Sequence, residues 1–319
     1  MAGATGILCA VSGCGDATGR AAPATRAQAP SQSVPWAAGV AARPAEAARH
    51  PVPAAAQGAP ATSLVAIPGG TFVMGDPAGD ANEAPQTVTV APFQLMRYEV
   101  TNRQFDRFVR ETGHVTDAER SGRGSVWLVV SRRGARELRQ WRTIRGASWR
   151  HPHGPRTGNA GREDHPVVQI SVRDAAAFCG HYGLRLPTEA EWEFAARGLD
   201  GRRYAWGDEA PYARPGQRGN FGTEDCCAPD PSDGFWSLAP VAQFPDGASP
   251  FGLLDMTGNV WEWTASPFPG QPGKVAIRGG GWGNSLYCLR VSYRHGNPPR
   301  IGLDMVGVRC AADAAESAR

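Results

Sequence analysis

An α+β domain of short helices, small sheets and long ordered loops is what this sequence predicts, and three observations predict it. A helix-start signature recurs: Thr101 stands three residues ahead of Gln104, Ser171 ahead of Asp174, and Thr188 ahead of Glu191, each opening an apolar repeat at helical spacing. Apolar runs at LVAI, TFVM and TVTV are interrupted by glycine and proline, as strands between tight turns are. With 40 Gly and 27 Pro in 319 residues, little room is left for long elements.

The elements follow in order. The folded part is expected over residues 63–313. LVAIPGGTFVMGD, from Leu64 to Asp76, reads as two strands meeting at a Pro68-Gly69-Gly70 turn. TVTVAPFQLMRYEVTN supplies another strand and leads into the helix opened by Thr101, with Phe105, Phe108 and Val109 on one face and Gly113 at its end. Ala175, Phe178, Cys179 and Tyr182 form the apolar face of the second helix, which Gly183 terminates. Trp192, Ala195 and Ala196 do the same for the third, where Glu193 can pair with Arg197 and Gly198 closes the helix. Ser131 to Gly161 is basic and glycine-punctuated and reads as an exposed excursion, with one short strand around Trp127 to Val130.

Ahead of the domain, MAGATGILCAVSGCGD contains a short apolar run and the quartet Val11-Ser12-Gly13-Cys14, a bacterial lipobox pattern in which Cys14 carries the lipid; residues 1–14 are therefore expected to be a truncated lipoprotein signal. Residues 15–62 are dominated by Ala, Pro, Gln, Ser and Arg and are expected to form a disordered tether, because so little apolar surface cannot offset the entropy of ordering. Residues 314–319 are a tail. The expected location is extracytoplasmic, periplasmic or at the cell surface, with a membrane contacted only through a lipid anchor. A net charge of +3 is too mild, and the arginines too dispersed, for a nucleic-acid partner. Lys274 is the single lysine.

Several segments in one order resemble the formylglycine-generating enzyme, or sulfatase-modifying factor, family: IPGGTFVMGD, YEVTNRQFDRFV, HPVVQIS, RLPTEAEWEFAARG, YAWGDE, FGLLDMTGNVWEW, RGGGW and VGVRCAAD. The resemblance spans Leu64 to Asp313. It implies a C-type-lectin-like fold of the sulfatase-modifying-factor type, with short helices, small twisted sheets and many ordered loops. It also implies a disulfide between Cys179 and Cys310, where the residues alone leave two buried thiols as the alternative.

FGLLDMTGNVWEW sets Asp255, Asn259 and Glu262 in a glycine-broken loop, an oxygen-rich arrangement that suits calcium, with carboxylates capping turns in the absence of any ion as the alternative. By resemblance, two structural calcium ions are expected. One takes Asp255, Glu262 and the carbonyls of Gly258 and Val260; the other takes Asn220, Asp233 and the carbonyls of Phe221 and Phe235.

Activity in the family resembled here depends on two cysteines after RGGSW that bind copper(I) and use oxygen to convert a sulfatase cysteine to formylglycine. Gly281 stands here in place of the serine, Asn284 in place of the first cysteine, and Cys288 near the second, one residue closer. Copper(I) requires converging soft thiolates, and a neutral amide does not replace one. Cys226 or Cys227 could complete a pair with Cys288, as a disulfide or as a rebuilt copper site. Two functions therefore compete. One is an exported, calcium-stabilised, lectin-like binding or accessory domain for a protein, peptide or glycan, its groove shaped by Trp261, Trp263 and Trp282. The other is a copper-dependent oxidase acting on a sulfatase, with Cys288 as its catalytic residue.

Overall fold

The first ordered element lies ahead of the expected boundary. The computed structural model describes residues 50–133, 136–209, 218–222 and 229–314, all within one compact unit, Ala47–Arg319. A one-turn helix, α1 (Ala54–Gln57), and a 3-10 turn at Pro60–Ser63 fall inside the segment expected to be tether. Gln104 Nε2 donates to the Gly58 carbonyl at 3.1 Å, Gln243 Nε2 to the His50 carbonyl at 2.9 Å, and the Arg97 amide to the Ser63 carbonyl at 2.8 Å. Val52 also packs against Tyr98, Val241 and Ala242. Order thus begins by residue 50 rather than 63. Composition hides this because the segment is held largely through its carbonyls, which distant side chains seek out, with Val52 adding an apolar contact. The expected signal with Cys14, and the tether up to residue 49, lie outside the described residues.

The two strands expected around Pro68 are present as β1 (Leu64–Ile67) and β2 (Gly70–Met74), yet they do not pair with each other. β2 pairs antiparallel with β3 (Gln86–Val90), and β1 with β4 (Phe93–Met96), Leu64 facing Met96. The turn therefore carries the chain from one sheet to another. Gly69 has φ of +71°, and a Cβ there would lie 2.5 Å from the Val90 carbonyl oxygen, so only glycine passes.

The three expected helices appear as α2 (Asn102–Thr112), α4 (Val172–His181) and α5 (Glu189–Arg197), each opened by the reciprocal cap read from the sequence. At α2, Thr101 Oγ1 accepts from the Gln104 amide while Gln104 Oε1 accepts from the Thr101 amide. A fourth copy, Thr116 with Glu119, opens α3 (Asp117–Ser121); its five residues carry no apolar repeat and so give no helical signal. Each such cap contributes about 1 kcal/mol.

Between α3 and α4 the expected short strand is instead a long hairpin, β5 (Arg123–Arg133) with β6 (Arg136–Arg145). Trp127 faces Trp141 across it, ring centroids 5.3 Å apart. Arginines in RELRQWRTIR obscure the alternation that would otherwise announce β6.

The remaining strands are β7 (Trp261–Pro267), β8 (Val275–Arg278), β9 (Arg294–Asn297), β10 (Val306–Gly307) and β11 (Ala311–Asp313). Four form a sheet in the order β10-β7-β8-β9, while β11 joins the other flank of β4. The mixed architecture of short helices and small sheets is the α+β class expected.

Two large apolar clusters, with two smaller ones beside them, fill the interior among the described residues. One gathers Phe105, Phe108, Phe178, Trp149 and Trp263; the other gathers Phe72, Trp192, Phe194, Leu253 and Met256. Cys179 of α4 and Cys310, just before β11, form the disulfide that the resemblance implies, with Cα atoms 5.7 Å apart across 131 residues of chain. Closing so long a loop restricts the unfolded chain, so the Cys179→Ser/Cys310→Ser double variant should lose about 2–5 kcal/mol in denaturant unfolding; an unchanged midpoint would show that the bridge contributes nothing.

Candidate metal and cysteine site

Two loops meet to build the site. Residues 255–262 lead into β7, and residues 279–288 follow β8; the Gly258 amide donates to the Gly279 carbonyl at 2.9 Å and the Trp282 amide to the Asn259 carbonyl at 2.8 Å. Gly258 (φ +95°) must be glycine, since a Cβ there would sit 2.4 Å from the Asn220 carbonyl oxygen. Asp255 and Asn259 also hold positive φ, both at 57°. Non-glycine residues accept that strain only where their surroundings dictate it. Asn259 shows how: its Oδ1 accepts from Asn220 Nδ2 and the Ala239 amide, and its Nδ2 donates to Glu99 Oε1 and the Ala239 carbonyl.

Glu262 is fully buried and is gripped from two sides. Arg309 donates to both of its oxygens at 2.7 Å, and Trp192 Nε1 donates to Oε2 at 2.7 Å. The remaining Arg309 donors reach the carbonyls of Met96, Arg97 and Leu254. Beside this pair lie Asp255, whose Oδ2 accepts from the Ala242 amide at 2.6 Å, and Glu99, which the sequence reading did not single out. Burial, aided by the neighbouring Asp255 charge, holds Glu99 well above the usual carboxylate range. Burial likewise pushes Asp255 up to about 6. Three buried carboxyl groups share one guanidinium, an excess of acid that the raised values of Glu99 and Asp255 express, and Glu99 Oε2 has no hydrogen-bond partner. A divalent cation fits that deficit, as do the oxygen donors. Glu262 retains one uncommitted lone pair, on Oε1, which limits it to a single bond to such an ion. Among the described residues, His, Cys, Asp and Glu side chains alone form no three-ligand metal cluster. A cation would therefore depend on main-chain carbonyls as well.

Asn220 and Asp233 of the second expected set are both buried. Asn220 spends its amide hydrogens on the Ser237 carbonyl and Asn259 Oδ1. Asp233 Oδ1 accepts from the Phe235 amide at 2.8 Å, while its buried Oδ2 has no partner. Burial pushes that carboxyl up to about 7. An orphaned acidic oxygen of this kind is what a cation would relieve.

The 279–288 loop is built differently from a two-thiolate site. Asn284 Oδ1 accepts from Trp261 Nε1 at 2.8 Å and from the Gly281 amide at 2.9 Å, and the Asn284 carbonyl accepts from the Gly222 amide. Its amide thus serves as a brace. Cys288 is buried, at 4% exposure, with its amide donating to the Ser285 carbonyl. Cys226 and Cys227 lie outside the described residues. Trp261, Trp263 and Trp282, expected to shape a groove, are buried at 6%, 0% and 4% exposure, with Trp263 Nε1 donating to the Ile170 carbonyl. They are core residues, and that expectation is corrected; the hydrophobicity that suggested a groove is spent on packing the loop against β7.

A model of the sulfatase-modifying factor enzyme 1-like domain matches residues 49–314. The chain belongs to that family. The formylglycine-generating enzyme of Streptomyces coelicolor is 42% identical over 285 residues, covering 78% of this chain and 89% of its own. The inactive C-alpha-formylglycine-generating enzyme 2 of Mus musculus is 40% identical over 274 residues, covering 79% and 86%. Among solved structures, PvdO from Pseudomonas aeruginosa superposes with a TM-score of 0.58 at 26% identity, over 78% of this chain and 94% of that one. Active and inactive relatives in this sulfatase-modifying factor family stand almost equally near. Overall similarity therefore does not decide activity; the loop must.

The brace at Asn284 can be measured. Asn284→Ala leaves Trp261 Nε1 and the Gly281 amide buried without acceptors, and should cost about 1–3 kcal/mol in denaturant unfolding. A neutral substitution would show that the amide supports nothing.

Proposed function

We propose that this protein is a sulfatase-modifying factor family member without formylglycine-generating activity, acting as an exported binding or accessory domain with calcium as a structural brace. One observation carries the reading: the position of the first copper-binding cysteine is held by Asn284, whose Oδ1 already accepts two hydrogen bonds from its own loop. That donor set does not fit copper(I), which a neutral, engaged amide oxygen cannot retain against competing thiols. The buried, retained Cys288 is the observation that favours the second reading, a copper-dependent oxidase of sulfatase cysteines.

Titration of the reduced full chain with copper(I) against a chromophoric chelator, followed by mass spectrometry of a sulfatase-derived cysteine peptide incubated with oxygen, separates the two. The expected result is no stoichiometric uptake and no aldehyde-bearing peptide. Tight uptake that disappears in Cys288→Ser would establish the oxidase instead.

Calcium, in this proposal, would be held by Asp255, Glu262 and the carbonyls of Gly258 and Val260, and by Asn220, Asp233 and the carbonyls of Phe221 and Phe235. When bound it supplies charge compensation and loop rigidity. A chelator should lower the melting temperature of the purified protein, and calcium should restore it where magnesium does not, because magnesium demands a tighter octahedron. Identical melting with and without chelator would remove calcium from the account.

A further inference from the structure

The β5–β6 hairpin is used by neither the core chemistry nor the cysteine loop, and its charge is anomalous. Residues 123–145 hold seven arginines against one glutamate, a net +6, whereas the whole chain is +3, so the rest of the molecule carries −3. Register sets like charges face to face where Arg123 opposes Arg145. Directly opposed like charges destabilise a strand pair. Arg123, Arg142 and Arg145 are exposed, and among the described residues none of the three forms an ion pair. Charges on an edge strand commonly guard against unwanted pairing. One or two suffice for that purpose; seven, some mutually repelling, exceed it.

The backbone supplies the second observation. β5 and β6 form a sheet of two strands. The far flank of β5 is engaged at its start, with Ser125 bridging to Leu303 and its amide donating to the Gly302 carbonyl. The far flank of β6 pairs with no strand among the described residues. An open ten-residue edge can accept one further strand through main-chain hydrogen bonds.

We infer that the outer edge of β6 docks an extended, acidic polypeptide segment, which adds as a third strand with its carboxylates against Arg142 and Arg145. These two arginines are three residues apart and so project to opposite faces of the sheet. A continuous acidic run, rather than an alternating one, meets both. Guanidinium pairs carboxylate in a planar fork, adding direction to the charge attraction. A sulfated glycan or a nucleic acid would satisfy the charge but not the row of amides and carbonyls, and the open edge therefore selects a peptide. The inference is independent of whether the cysteine loop is inert.

The test uses the full chain and a fluorescein-labelled oligoglutamate of roughly ten residues, matched to the length of β6. Anisotropy should show saturable binding that weakens with added salt and falls by about tenfold or more in Arg142→Glu/Arg145→Glu. Hydrogen exchange should slow at amides of residues 136–145 when the peptide is present. Arg142→Gln/Arg145→Gln, checked by thermal unfolding, serves if charge reversal impairs folding, and should weaken binding in the same direction. Absence of binding, binding unchanged in both variants, or binding without protection of β6 would each overturn the inference. So would a sulfated oligosaccharide or a single-stranded oligonucleotide of equal charge that binds more tightly than the peptide.

Discussion

The Arg309 to Glu262 pair is the constraint on which the rest of the architecture rests. It is fully buried and two-pronged, and its spare donors tie the end of β4, the Leu254 loop and β7 to one side chain. Breaking a pair of this kind by removing one partner strands a charge in a medium that cannot solvate it. The same device recurs. Arg290 holds both oxygens of Glu83, joining the loop after Cys288 to the loop after β2, and Arg278 at the end of β8 binds Glu193 and Glu189 of α5. In a molecule with little regular structure, buried guanidinium groups do the work that long helices and broad sheets do elsewhere, since each can satisfy several main-chain carbonyls at once.

That division of labour explains what was legible in the sequence. Helix starts were readable because capping is local: Thr101 and Gln104, Ser171 and Asp174, and Thr188 and Glu191 fix their turns within four residues. The two candidate calcium sets were named through the family pattern, because their members lie in separate segments of the chain. Glu99, Glu83, Arg290 and Arg309 were not singled out, because their importance is created by partners far away in the chain. A charged residue destined for the interior looks the same in sequence as one destined for water. The pairing of β1 and β2 with separate sheets was hidden for a similar reason, as a turn motif states that the chain bends but not what it bends towards. The tryptophans of the 261–282 region failed in the opposite sense, since an aromatic near a suspected site invites a binding role that complete burial denies.

The cysteine loop illustrates how a glycine-rich turn is held in place by one amide. Gly279 and Gly280 adopt the left-handed backbone the loop requires, with φ of 98° and 72°, and Trp261 is buried beside it. Asn284 fits this frame because an amide oxygen can take up two buried N–H groups. One side chain thereby fixes both the glycine turn and the tryptophan beside it. Fold and site are in this way separable properties of one sequence.

The sheet that sets β4 between β1 and β11 has a consequence for how the molecule is made. Leu95 faces Ala311, so a strand emerging early from the ribosome must wait for a partner more than 200 residues further along the chain before its second flank is covered. Until residue 311 has been made, that flank is an open seam, and the nascent chain has reason to remain in the care of chaperones rather than close prematurely on itself.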